Sequence, residues 1–129
     1  MRQSRFLIAT AVAGTVLAAC GSDNSSTGNL DGKHFLVEKG TPAVTVDLVD
    51  NTIETQYVSV RAGTTVTFVN RGHNKHNVVA VGDGFTRSDI LERGDSYKVI
   101  FEKPGDFALY CSLHGTASSG MTGGVRVVT

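Results

Sequence analysis

Cysteine is scarce in this chain: Cys20 and Cys111 are the only two among 129 residues, which leaves room for one disulfide at most. An excess of either charge is also missing, because twelve Lys and Arg meet twelve Asp and Glu. Arg2 and Arg5 precede residue 20, so from there on ten basic residues face twelve acidic ones, a net of about minus two. That balance, with no basic stripe, excludes a nucleic-acid footprint. Long apolar runs are limited to residues 6–19. Fourteen residues at about 1.5 Å rise reach roughly 21 Å, against a hydrocarbon core of about 30 Å. A permanent membrane helix is therefore not expected. Helical periodicity is sparse too, which turns the reading toward strands.

The N-terminal segment has a different use. Residues 1–5 are basic, the apolar run follows, and together they form a secretion signal pattern. Leu17-Ala18-Ala19-Cys20 resembles the bacterial lipoprotein box, in which the cysteine becomes the lipid-modified first residue of the mature protein. The resemblance implies a signal peptide over 1–19 and a lipid anchor at Cys20. It also implies an exported protein held to the bacterial cell membrane, on the outer face or the periplasmic side. Arg2 and Arg5 are not adjacent, so nothing points to a twin-arginine route. Residues 21–32, GSDNSSTGNLDG, read as a disordered tether spanning about 20 Å as a coil. If Cys20 carries lipid, Cys111 is left without a disulfide partner in an oxidising compartment. Residues 33–129 suffice for one domain with a small core, to which a bound metal would add stability.

Short β-branched runs separated by turn residues occupy 43–49, 56–60, 64–70, 76–81, 96–101, 107–111 and 124–128. Seven or so strands of this kind predict an all-β antiparallel sandwich or barrel. Residues 51–55 are read as a turn of helix. Arg61-Ala62-Gly63 fits a tight hairpin, and Lys103-Pro104-Gly105-Asp106 a type II turn. Period-two alternation puts Phe107, Leu109 and Cys111 on one face, toward the core.

Cys111 does not stand alone. His114 follows after two residues and Met121 after six more, in a glycine- and serine-rich loop, while His76 heads another predicted strand. A thiolate and two imidazoles in a plane with a weak axial thioether is the ligand set of a blue-copper electron-transfer site. Zinc also takes cysteine and histidine and is the rival metal; Met121 argues against it. With four protein ligands no coordination position is open to a substrate, so an enzyme is not expected.

Lys75-His76-Asn77-Val78-Val79 and Tyr110-Cys111-Ser112-Leu113-His114, with Met121 before the last strand, resemble the small blue copper proteins, the plastocyanin, amicyanin and pseudoazurin group of cupredoxins. The resemblance covers roughly residues 42–129. It implies a Greek-key β-sandwich of about seven to eight strands and one type 1 copper held by His76, Cys111, His114 and Met121. Asn77 and Ser112 match positions whose hydrogen bonds tie the two ligand-bearing loops together. Leu113 stands where a proline is common, and the interval from His114 to Met121 is somewhat long. In multicopper oxidases histidines flank the cysteine; here Tyr110 and Ser112 do.

The expected function is one-electron transfer between a redox donor and acceptor at the envelope, by a monomer. Leu113, Gly115 and Ala117 would form a small apolar docking patch around His114. Copper storage or delivery is the alternative role, and a metal-free adhesive sandwich with Cys111 as an inert core residue is a third. His73 and His34 are read as solvated or incidental, and Arg71 and Lys75 as a solvated rim able to orient an acidic partner.

Overall fold

The computed structural model describes residues 28–38 and 40–129. The proposed signal peptide, Cys20 and most of the tether lie outside them. Nine strands follow one another: β1 (Leu36–Val37), β2 (Ala43–Val49), β3 (Thr52–Ile53), β4 (Tyr57–Arg61), β5 (Thr64–Asn70), β6 (Val79–Ala80), β7 (Ser96–Phe101), β8 (Gly105–Gly115) and β9 (Gly120–Val128). They form a five-stranded sheet, β1-β4-β9-β8-β6, and a four-stranded sheet, β3-β2-β5-β7. Among the described residues there is no helix.

Alternation builds the core. Along β5, Thr64, Val66, Phe68 and Asn70 are buried while the residues between them are half-exposed. Val46, Leu48, Val66, Phe68 and Phe101 of one sheet meet Val58, Val60, Phe107, Leu109, Cys111, Met121, Val125 and Val127 of the other in a single cluster. Phe101 and Phe107 bridge the sheets edge to face, with ring centroids 5.2 Å apart.

Four expectations need correction. The sheets are mixed, because β1 with β4, β2 with β5 and β4 with β9 run parallel. The segment read as helical contains β3, which pairs with the end of β2 through a turn at Asn51, whose φ is 59°. Arg61-Ala62-Gly63 is not a hairpin: it carries the chain from one sheet to the other, with Ala62 N donating to the Val128 carbonyl and Gly63 N to that of Phe101. Gly63 does take positive φ, 90°, as the turn requires.

The tether, finally, ends earlier than its composition implied. Leu30 is buried, its backbone N–H donates to Asp106 Oδ2, and Asp31 Oδ1 accepts from Arg126. Arg126 also makes a two-pronged contact with Asp106, at 2.7 and 2.8 Å, and stacks over Phe35. One guanidinium thus fastens residues 30–35 to the five-stranded sheet.

Candidate metal centre

Two stretches of chain bring the site together. His76 follows β5 by six residues and is tied to Leu91, its N–H donating to the Leu91 carbonyl at 3.1 Å and its carbonyl accepting the Leu91 N–H at 2.7 Å. The predicted strand over 76–81 shrinks to this contact and the two-residue β6. Cys111 and His114 lie on β8, which pairs with β9 from Gly105 as far as Tyr110 opposite Thr122, and again at Gly115 opposite Gly120. Residues 111–114 therefore bulge opposite Met121, out of ladder register.

The sequence ends a strand at Cys111 and puts His114 and Met121 in a glycine- and serine-rich loop pinned between two strands, yet β8 and β9 nearly reach each other. The loop is only residues 116–119, closed by Thr116 N donating to the Ser119 carbonyl. Glycine allows the close approach. A Cβ on Gly115 would lie 2.7 Å from Met121 N, and one on Gly120 would lie 2.6 Å from the His114 carbonyl oxygen.

Cys111 Sγ is 3.8 Å from His76 Nδ1 and 3.7 Å from His114 Nδ1, and the three donor atoms all lie within 4.8 Å of one another. The imidazoles meet edge to face with centroids 5.0 Å apart. His76 and Cys111 are buried, 0% and 1% exposed, while His114 is half-buried and so lies nearest solvent. Burial, and after it the neighbouring His114, push the His76 ring below its ordinary pKa, against a smaller opposing pull from Asp50. The shift favours the neutral ring, the form that binds a metal.

Asn77 and Ser112 lock the two stretches together. Asn77 Nδ2 donates to Ser112 Oγ at 2.8 Å, and Ser112 N donates to Asn77 Oδ1 at 2.8 Å. Met121 is 1% exposed and sits opposite the bulge. His73 stays outside, exposed and 3.2 Å from Asp50 Oδ2, and Lys75 pairs with Glu92 at 3.0 Å. His34 is exposed as well. Leu113 and Ala117 are exposed and Gly115 half-exposed, flanking His114. Asp50, Asn70 and Gly72, which shape the approach to His76, lie outside the donor triangle and were not singled out from the sequence.

The donor set fits a transition metal. An ion held at about 2.0–2.3 Å by nitrogen and sulfur in a trigonal plane separates its ligands by about 3.6 Å, and the two sulfur–nitrogen distances here are 3.7 and 3.8 Å. A β-sandwich with one buried cysteine between two imidazoles defines the cupredoxin class of copper-binding domains. The chain belongs to the copper binding proteins of the plastocyanin/azurin family, whose model matches residues 40–128. Its cofactor is copper.

Amicyanin from Paracoccus denitrificans is 28% identical over 115 residues, covering 83% of this chain and 88% of amicyanin. A solved reduced amicyanin variant superposes with a TM-score of 0.59 at 28% identity, over 67% of this chain and 82% of its own. A Cu-containing nitrite reductase from Thermus scotoductus SA-01 also gives 0.59 at 28% identity. That match covers 67% of this chain but only 22% of the reductase.

Proposed function

We propose that this protein is a blue copper electron carrier, passing one electron at a time between a redox donor and an acceptor at the bacterial cell envelope. The observation that carries the reading is the closed triangle of Cys111, His76 and His114, two corners of which are removed from solvent. Bound copper supplies the one-electron couple between its two oxidation states, and the mixed set of thiolate, imidazole and thioether suits both. The protein's part is to hold these donors still. Cys111, His76 and His114 would hold the copper through sulfur and two nitrogens, and Met121 would add its thioether.

The likeness to nitrite reductase does not make this chain an enzyme. It spans about a fifth of that protein, and four protein ligands would leave no position for a substrate. His114, half-buried and flanked by Leu113, Gly115 and Ala117, is the port through which the electron leaves, and that apolar patch suits a transient partner. A lipid at Cys20 would hold the domain to the membrane, with redox proteins for partners and no need of a second copy.

The test is the visible absorption spectrum of the purified protein with one equivalent of Cu(II), beside Cys111→Ser. An intense band that vanishes in the variant supports the reading. A colourless parent that folds equally well without metal overturns it, and rapid loss of copper to a chelator without electron exchange would favour storage or delivery.

A further inference from the structure

We propose that Asn70 is a positioning residue for the metal centre: a buried amide that fixes the backbone on both sides of His76. The proposal rests on the carrier reading above. Asn70 ends β5 and is 0% exposed, at a position whose alternation partners are Val66 and Phe68. A buried amide is unfavourable unless it is hydrogen-bonded, so an apolar residue would serve the core better. Its bonds show what it is for. Nδ2 donates to the Asn74 carbonyl at 2.8 Å and to the Leu91 carbonyl at 2.9 Å, and Oδ1 accepts the Gly72 N–H at 2.9 Å.

Every one of those three groups belongs to the support of His76. Gly72 and Asn74 lie in the segment leading to it, and the Leu91 carbonyl is the same oxygen that accepts the His76 N–H. One side chain therefore grips both the approach to the ligand and its cross-chain partner.

Asp50 braces the segment from the opposite side, its Oδ1 accepting the N–H groups of His73 at 2.6 Å and Asn74 at 3.1 Å. The backbone bond from Asn74, and next that from His73, hold the Asp50 carboxyl below its ordinary range, so it stays an acceptor at neutral pH. Arg71 N and Gly72 N donate to the Leu48 carbonyl as well. The backbone N–H groups of residues 71–74 and of His76 are thus all engaged, in a surface connection. An imidazole hung from such a frame moves little when the charge beside it changes, and small ligand displacement is what fast electron exchange needs.

The experiment has two arms on the full chain. In the metal-free parent, the side-chain amide protons of Asn70 should exchange with solvent at least a hundredfold more slowly than those of exposed Asn29 by NMR; equal rates overturn the proposal. In the copper-loaded protein, Asn70→Ala should slow electron self-exchange at least threefold and speed copper loss to a chelator at least tenfold. Val60→Ala is the control for mere destabilisation, since Val60 is a core residue of β4 paired with Val127, at the end of the sheet away from Gly120. Matched in lost thermal stability, it should move neither rate more than twofold.

If Asn70→Ala behaves like Val60→Ala, Asn70 is only structural and the proposal fails. Should Asn70→Ala not fold, Asn70→Asp keeps the shape and the acceptor, loses the paired donor, and is read against the same thresholds. A parent with no thiolate–copper band overturns the carrier reading itself, and this role with it. A blue parent whose Asn70 variants match the control overturns the role of Asn70 alone.

Discussion

Removing the Asn77 side chain should loosen the centre even before a metal is bound. Asn77→Ala deletes two hydrogen bonds of 2.8 Å, one from its amide to Ser112 Oγ and one from the Ser112 backbone N–H to its Oδ1. A typical intramolecular bond contributes about 0.5–1.5 kcal/mol, and a part-buried N–H left without an acceptor adds to the loss. The expected cost is about 1.5–3 kcal/mol. For a domain of this size that lowers the melting temperature by roughly 6–24 °C. Urea denaturation of the metal-free, reduced protein measures the loss. A cycle with Ser112→Ala isolates the side-chain bond, with about 0.5–1.5 kcal/mol of coupling expected. A loss below about 0.5 kcal/mol with additive single variants would show that the two stretches are held together by something else.

Three further outcomes follow from the same geometry. Met121→Ala opens a cavity in the core and should cost about 2–5 kcal/mol in urea denaturation, whereas Met121→Leu should cost under about 1.5. A changed reduction potential in the leucine variant identifies the thioether as a ligand, and an unchanged one leaves Met121 as packing. Arg126, with a smaller backbone contribution from Leu30, holds the Asp106 carboxyl below its ordinary range despite partial burial. A depressed carboxyl contributes stability that is present above its unfolded pKa and lost as pH falls through the folded one. Metal-free stability measured from pH 5 downward should therefore begin to drop near about pH 4 and keep falling below it, and less steeply in Asp106→Asn. Gly72→Ala would place a Cβ 2.4 Å from Asp50 Oδ1 and 2.9 Å from Asp50 N. A backbone shift of that kind costs about 1–3 kcal/mol, and a thermal melt unchanged within error would contradict the close approach.

Strands whose side chains alternate strictly were legible from the sequence. The stretches 43–49, 64–70 and 96–101 coincide with β2, β5 and β7 at both ends. Glycine- and serine-rich chain hid the rest: β8 runs on to Gly115 and β9 starts at Gly120, because backbone pairing there needs no apolar face. Parallel pairing was invisible for another reason. It joins segments separated by long connections, such as β4 with β9, and a strand's own residues do not record the direction of its neighbour. At the site, Cys111, His76 and His114 were found because thiol and imidazole advertise their chemistry. Asn70 and Asp50 were not, since at strand ends these residues most often satisfy only their own turns.

The strand latest in the chain, β9, is the middle one of its sheet, between β4 and β8. A chain still emerging has His76 in place long before it has Cys111, His114 or the strand that seats them. Before that point the chain offers His76 without its thiol and imidazole partners, beside an unfinished sheet. A chain that stops before β9 lacks Met121 and the central strand of its sheet, and so cannot assemble the complete centre.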